Sequence, residues 1–276
     1  MDLTRYENLR LALQLAGIKP KKGLGQHFLV DRDSVERIIA AAEVGPEDTV
    51  LEIGPGLGVM TYALCQQAKK VVAVEQDSQL AELLRRDQPA NLQVVEGDIL
   101  EFDLSQLPTK YKVVANLPYF ITSKILRLLM ESANPPVEIS VLVQKEVAER
   151  ITAAPGSLSI LALSVQYYAE AQLAGLVERF KFWPPPEVDS AILRLRRRAE
   201  PLFEADRQKL FRLIKAGFGE KRKQLKNSLA GGLNVDAAVI TELLNQAGIS
   251  PMARAQELNF DQWEQLYHLA ERRQLV

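Results

Sequence analysis

The sequence predicts an α/β protein: a doubly wound, mainly parallel sheet over the first 200 residues, followed by a small all-helical domain. Three observations predict it. Between residues 49 and 152, five short apolar segments rich in β-branched residues alternate with amphipathic ones, as parallel strands joined by helical crossovers do. Most of these segments end in turns built from Gly, Asp, Asn or Glu, and right-handed crossovers bring such turns to one edge of a sheet. From about Pro201 the apolar spacing is helical throughout, with no strand signal.

In order along the chain, Leu9, Ala12, Leu13 and Ala16 give a short amphipathic helix, and Lys19–Gly25 a basic, flexible loop. Arg32–Glu43 reads as a helix stopped by Gly45–Pro46. The strand Thr49–Ile53 runs into Gly54-Pro55-Gly56-Leu57-Gly58 and a helix over Met60–Ala68. Val71–Val74 is bounded by Glu75-Gln76-Asp77 and followed by a helix at Leu80–Arg86. Leu92–Val95 ends at Glu96-Gly97-Asp98, and Lys112–Ala115 at Asn116-Leu117-Pro118-Tyr119 before the helix Ser123–Glu131. Ile139–Val143 precedes a helix over Lys145–Thr152. Leu173–Phe180 and Val188–Leu195, flanking Trp183-Pro184-Pro185-Pro186, read as a closing hairpin that brings the sheet to seven strands. Leu210–Ala216, Gln224–Leu229, Ala237–Ala247 and Phe260–Ala270 are the helices of the tail, so the domains are placed at 1–200 and 201–276.

Composition narrows the class. With 47% hydrophobic and 25% charged residues, the 276-residue chain is neither disordered, collagenous nor coiled coil. One cysteine (Cys65) and two histidines (His27, His268) can build neither a disulfide framework nor a cysteine/histidine metal cluster. No apolar run of about 18 residues occurs, and Arg5, Glu7 and Arg10 interrupt the start where an export signal needs an apolar stretch. The expectation is a monomeric cytoplasmic protein with no metal and no membrane partner.

The glycine turn opening a helix lets the backbone approach a ligand closely; a tight turn with no ligand is the plainer alternative. A nicotinamide dinucleotide fits poorly, because its G-x-G-x-x-G/A pattern requires Gly or Ala where Val59 stands. The acidic Glu52 and the proline inside the turn also suit a pyrophosphate badly, so a ligand without phosphates fits better. Glu75, about 20 residues on, is placed to take both ribose hydroxyls, and Asp98 to accept an adenine amino group. One such acid is ordinarily a solvated loop residue. Three acids at successive strand ends favour an adenosyl ligand.

Asn116-Leu117-Pro118-Tyr119 could be a simple turn with a buried Tyr. On this edge it matches the four-residue signature of amino-group methyltransferases, and the chemistry supplies a reason. An adenine N6 is a weak nucleophile because its lone pair is delocalised into the ring. The Asn116 side-chain oxygen and the Pro118 carbonyl could accept its two N–H bonds, fixing the amine in line with a methyl donor and stabilising the charge that builds on nitrogen. Tyr119 could stack on a base that has left its helix.

Together these residues resemble the class I S-adenosylmethionine-dependent methyltransferases, with a Rossmann-like sheet, that act on adenine N6. Gly25–Leu29, Gln144-Lys145-Glu146, Pro184–Pro186 before Val188-Asp189-Ser190-Ala191, Phe218–Asn227 and Ser250-Pro251…Arg254-Ala255 narrow the likeness to the bacterial small-subunit (16S) rRNA adenine dimethyltransferases. The resemblance runs from about residue 19 to about 270. It implies dimethylation, from S-adenosylmethionine with S-adenosylhomocysteine as product, of two adjacent adenosines in a hairpin loop near the 3′ end of 16S rRNA. The partner it implies is a late 30S ribosomal subunit precursor, with a role in ribosome biogenesis; loss of the activity in the family is associated with kasugamycin resistance. By motif position it places cofactor contacts on His27, Leu29, Gly54, Glu75, Asp98 and Asn116. Many members carry Asn where this chain has His27, which leaves open a contact through side chain or backbone. Phe182 matches an aromatic that faces Tyr119 across the target base, with core packing as the alternative.

The net charge is −1, which alone speaks against a nucleic-acid partner. It is a cancellation: residues 31–110 hold 7 Lys+Arg against 15 Asp+Glu, and residues 190–230 hold 12 against 4. Residues 1–30 add 5 against 2. Charged runs are solvated faces by default, but phosphate contacts supply most RNA affinity. Lys21 and Lys22, Arg196, Arg197 and Arg198, and Lys221, Arg222, Lys223 and Lys226 are therefore the candidate rRNA grip. Two rivals remain: a large-subunit rRNA methyltransferase of the macrolide-resistance type, which usually has Ile in place of Leu117 and a more basic chain, and an assembly factor acting mainly by binding. A DNA adenine methyltransferase would need a larger target-recognition region than this tail.

Overall fold

The computed structural model describes residues 1–86, 88–220 and 222–276. The chain divides into two compact units: Met1–Glu149 with Glu170–Arg197, and Arg150–Ala169 with Arg198–Val276. The boundary expected at 200 lies close to the second crossing. The excursion at 150–169 was not foreseen.

Among the described residues the first unit holds nine strands: β1 (Phe28–Leu29), β2 (Thr49–Ile53), β3 (Lys70–Glu75), β4 (Leu92–Glu96), β5 (Lys112–Asn116), β6 (Glu138–Gln144), β7 (Ala169–Val177), β8 (Phe182–Trp183) and β9 (Ser190–Arg197). Its helices are α1 (Tyr6–Ala16), α2 (Arg32–Ala41), α3 (Thr61–Cys65), α4 (Ser78–Arg86), α5 (Thr122–Glu131) and the start of α6 (Lys145–Ile151). Seven strands form one sheet in the order β4-β3-β2-β5-β6-β9-β7. From β4 to β6 neighbouring strands are parallel, and β9 lies antiparallel to β6.

The central strands are apolar on both faces because helices cover both sides of such a sheet. Val113, Val114 and Ala115 of β5 are fully buried, as are Ile139, Val141, Leu142 and Val143 of β6. Truncating such a side chain to alanine typically costs about 2–5 kcal/mol. The edge strand β4 alternates less strictly and leaves Gln93 and Glu96 exposed. Registers align the strand ends that matter: Ile53 pairs with Val74, Glu75 with Glu96, and Asn116 with Leu142. The turns after β2, β3, β4 and β5 therefore open on one edge.

Two expectations change in detail, and one feature was not expected. The two late strands are neighbours, as a closing hairpin requires, but begin and end elsewhere, at Ala169–Val177 and Ser190–Arg197, and β9 inserts between β6 and β7. The helix expected over Met60–Ala68 is confined to Thr61–Cys65. A two-stranded antiparallel sheet pairs Phe28 with Trp183 and Leu29 with Phe182. Two-residue strands carry no detectable period, so no pattern announced it.

The second unit is helical: α7 (Ile160–Gln166), α8 (Arg207–Phe218), α9 (Leu225–Leu233), α10 (Ala237–Gln246) and α11 (Phe260–Arg272). The Ser159 side chain caps α7 by accepting from the Ala162 N–H at 3.1 Å. Tyr167 just beyond it packs edge-on against Tyr168, Phe203 and Phe211. Trp263 of α11 is fully buried and stacks on Phe218 of α8 at 6.0 Å. Among the described residues, no helix is long and apolar enough to cross a membrane.

Candidate active site

The strand ends and the segment Leu24–Leu29 enclose a cleft of about 950 Å³, counted to its open mouth. One side carries Gly54, Glu75 and Asp98; the other carries Asn116, Leu117, Pro118 and Tyr119. His27 and Leu29 line it from the segment above. The residues expected to hold a cofactor are thus brought together.

Gly54 has φ +66, and a Cβ built there meets no atom within 4 Å. Its conformation favours glycine, and its bare face leaves the cleft open to a ligand. Glu75, at the end of β3, accepts the Gly56 N–H at 3.0 Å on one oxygen and the Asp77 N–H at 2.9 Å on the other. The Gln76 N–H is a third backbone donor to this carboxylate, and with about four lone-pair directions on an ionised carboxylate, acceptor capacity remains for a ribose hydroxyl. Burial, and next the Asp77 charge, raise the Glu75 carboxyl above its ordinary value against the pull of those N–H groups. Asp98 Oδ1 accepts the Leu100 N–H at 2.9 Å.

Beneath the glycine turn lies Glu52, fully buried in β2. Neither of its oxygens, nor the neighbouring Thr61 hydroxyl, makes a hydrogen bond of ordinary geometry among the described residues. Desolvation, helped by the Glu75 charge, pushes its carboxyl up to about 8 despite Thr61. It is therefore protonated at neutral pH, which is how a buried acid avoids an unpaired charge.

On the acceptor side, the Asn116 Nδ2 donates to the His27 carbonyl at 2.8 Å. That fixes the amide orientation and leaves Oδ1 as an acceptor. The Pro118 carbonyl does not match its expected role. It already accepts the Ile121 N–H at 3.2 Å and the Thr122 hydroxyl at 3.1 Å, because the chain turns there into α5. The Leu117 carbonyl, one residue earlier in the cleft wall, accepts no hydrogen bond among the described residues. The Tyr119 hydroxyl bonds the Ser190 Oγ at 2.6 Å, and its ring lies 6.0 Å from that of His27 at an interplanar angle of 19°. His27 Nδ1 donates to the Pro184 carbonyl at 2.7 Å.

Phe182 is not at the cleft. Pairing of β8 with β1 turns its side chain inward, 2% exposed, into the core with Leu29, Val35 and Ile38. The aromatic facing Tyr119 is His27. Neither Ser190 nor the Pro184 and Leu117 carbonyls had been singled out individually. A backbone acceptor leaves no mark on residue identity, and the Ser190 partnership spans 71 residues.

The candidate RNA contacts separate into two groups. Arg196 is tied to Glu43 and Glu138, alongside Arg194. Arg197 donates to the Met130 carbonyl at 2.8 Å and Arg198 to the Gln166 carbonyl at 3.5 Å. Arg196 and Arg197 are engaged within the first unit and Arg198 within the second, which makes the run a poorer phosphate grip than its charge suggests. Lys21 is bound to Asp77. Lys22, Arg222 and Lys223 are exposed and Lys226 is half-buried; Lys223 pairs with Glu220 at 2.8 Å. Arg222 and Lys223 precede α9, whose first residue is Leu225, whereas Lys226 lies within it. Lys221 lies outside the described residues. No group of three or more His, Cys, Asp or Glu side chains able to hold a metal occurs among the described residues.

A parallel sheet with one antiparallel strand inserted beside its edge, bearing a glycine turn and acids at successive strand ends, is that of a class I methyltransferase. The solved structure of a dimethyladenosine transferase from Plasmodium falciparum matches it with TM-score 0.79 and 26% identity over 90% of this chain and 98% of that one. The 23S rRNA methyltransferase ErmE matches with TM-score 0.72 and 32% identity, over 88% and 99%. Residues 17–272 match the profile of the family Ribosomal RNA adenine dimethylase. Ribosomal RNA small subunit methyltransferase A of Dehalococcoides mccartyi is 42% identical over 90% of this chain and 88% of its own. The protein of the same name from Leuconostoc mesenteroides is 39% identical over 97% and 95%. The chain belongs to the ribosomal RNA adenine dimethylase family.

Proposed function

We propose that this protein transfers methyl groups from S-adenosylmethionine to N6 of two adjacent adenosines in a hairpin loop near the 3′ end of 16S rRNA, dimethylating each within a small-subunit precursor. The observation that carries the reading is the tethered Asn116 amide, whose free Oδ1 shares one cleft with Glu75 and Gly54.

The residues present fit the cofactor. Gly54 leaves room for it, Glu75 keeps acceptor capacity for a ribose hydroxyl, and Asp98 has an oxygen left for the adenine amine. When bound, the cofactor supplies an electrophilic methyl group. The chain supplies the geometry. Asn116 Oδ1 and the Leu117 carbonyl take the two N6 hydrogens, which orients the amine and stabilises positive charge on nitrogen. Tyr119 and His27 offer ring faces to a base that has been unstacked. Arg222, Lys223 and Lys226 of the helical unit contact rRNA phosphates.

The test supplies purified protein with unmethylated 30S subunits and methyl-labelled cofactor. Label recovered as N6-dimethyladenosine in 16S rRNA is the expected result. No transfer, or transfer only to 23S rRNA, overturns the reading.

A further inference from the structure

Lys21 belongs to the basic loop, yet its ammonium is not free for phosphate. It lies 2.8 Å from Asp77 Oδ1, and that carboxylate has no exposed side-chain surface. Gln26 Nε2 donates to the other Asp77 oxygen at 2.9 Å, and the Gln79 N–H to Oδ1 at 3.2 Å. The Lys21 N–H in turn donates to the Gln26 side-chain oxygen at 2.8 Å, closing a small ring around Asp77. Asp77 passes the constraint on, since its N–H holds Glu75.

The same segment reaches the other side of the cleft. The His27 carbonyl holds the Asn116 amide. Gly25, at φ +63, lies so close to the acceptor turn that an added Cβ would stand 3.3 Å from the Phe120 ring and 3.6 Å from Pro118. Leu24 to Leu29 all line the cleft. One short segment thus roofs the site, fastened at one end to the ribose-side acid and at the other to the acceptor amide.

We propose that Lys21 is a positioning residue: its ion pair with Asp77 latches the roof segment and holds Glu75 in the orientation that receives the cofactor ribose. The proposal rests on the reading of this cleft as the S-adenosylmethionine site. Its physical basis is the burial of two carboxylates two residues apart. Unopposed, they repel, and desolvation disfavours both charges. Desolvation is the largest influence on Asp77 and raises it, yet the hydrogen bonds and charge of Lys21, with Gln26, hold it below its ordinary value. Removing the ammonium leaves a buried charge that must be neutralised or hydrated, and the roof segment carries the other side-chain partner of that charge, Gln26.

Lys21→Met keeps the length of the side chain and removes its charge. The variant is expected to weaken S-adenosylmethionine binding by about tenfold in calorimetry, because it leaves the buried Asp77 carboxylate without its charged partner. Lys21→Arg restores most of it. KM for the cofactor rises more than kcat falls, and the slope of rRNA affinity against salt stays at the wild-type value. Thermal unfolding of each variant confirms that the fold is kept, and Asp77→Asn combined with Lys21→Met is expected to cost less than the sum of the single changes. Cofactor binding within twofold of wild type overturns the latch, as does a salt slope reduced by about one, the signature of a phosphate contact. Failure of the wild-type protein to bind cofactor would instead overturn the reading of the cleft.

Discussion

The two sides of the cleft are built differently. On the cofactor side, Glu75 and Asp98 sit at the ends of adjacent parallel strands, and their oxygens are oriented by backbone N–H groups within two residues or across to Gly56. On the acceptor side, each functional group is oriented from far along the chain: Asn116 by His27, Tyr119 by Ser190, and His27 by Pro184, over separations of 89, 71 and 157 residues. The ligand-side oxygens are aimed by the sheet and its turns, with Lys21 and Gln26 bracing Asp77 behind them. The acceptor side is a property of the closed tertiary structure, and is the more easily disturbed from a distance.

Substitutions that strike one side and spare the other test this division. Asn116→Ala should have the largest effect, lowering methyl transfer roughly 10³-fold, as loss of a preorganised transition-state acceptor does. Cofactor binding by calorimetry should keep most of its strength; equal loss of both would dissolve the division. Glu75→Gln should act in the opposite sense, weakening cofactor binding on the order of 10²-fold, since hydrogen bonds to an ionised carboxylate are worth about 1.5–3 kcal/mol each. Single-turnover transfer at saturating cofactor should recover most of the rate.

Glu52→Gln probes the floor of the cofactor side through stability. With the folded carboxyl at about 8 against an ordinary 4.5, the fold binds the proton that the unfolded chain releases. That contribution is complete below pH 4.5 and declines as pH rises toward 8. The variant lacks the decline, so its stability in denaturant titrations should gain on wild type between pH 5 and 8, by about 3–4 kcal/mol. A constant difference across that range would mean that Glu52 is ionised in the fold. Ser190→Ala should have the smallest effect, a loss of about threefold in transfer with cofactor binding unchanged, as a single neutral hydrogen bond to the Tyr119 hydroxyl is removed.

The same contrast explains what could be read in the sequence. β3 and β5 carry apolar runs, and β2 and β6 nearly so, as a doubly covered sheet accommodates, and the acids after β3 and β4 are placed by chain order alone. Glu75 and Asp98 were therefore legible. Pro118 was not. Its residue type says that it has no N–H, but nothing local says that Thr122 and Ile121 occupy its carbonyl. Phe182 was misplaced because a two-residue strand decides which way its side chain points. The arginines of β9 show the limit of charge counting, since Glu43 and Glu138, distant in sequence, neutralise Arg194 and Arg196.

The chain enters the helical unit twice, at 150–169 and again from Arg198. During synthesis, α7 and Tyr167 emerge before Phe203 and Phe211, the rings that cover Tyr167, exist. The nascent chain carries that apolar surface uncovered for several dozen residues. Shortening the gene at the apparent boundary near residue 200 makes the state permanent: the sheet is complete, but Tyr167 is stripped of its cover and a sticky peptide interrupts the product. A catalytic fragment free of that surface requires the segment 150–169, α7 included, to be excised and its ends rejoined, as well as the tail removed.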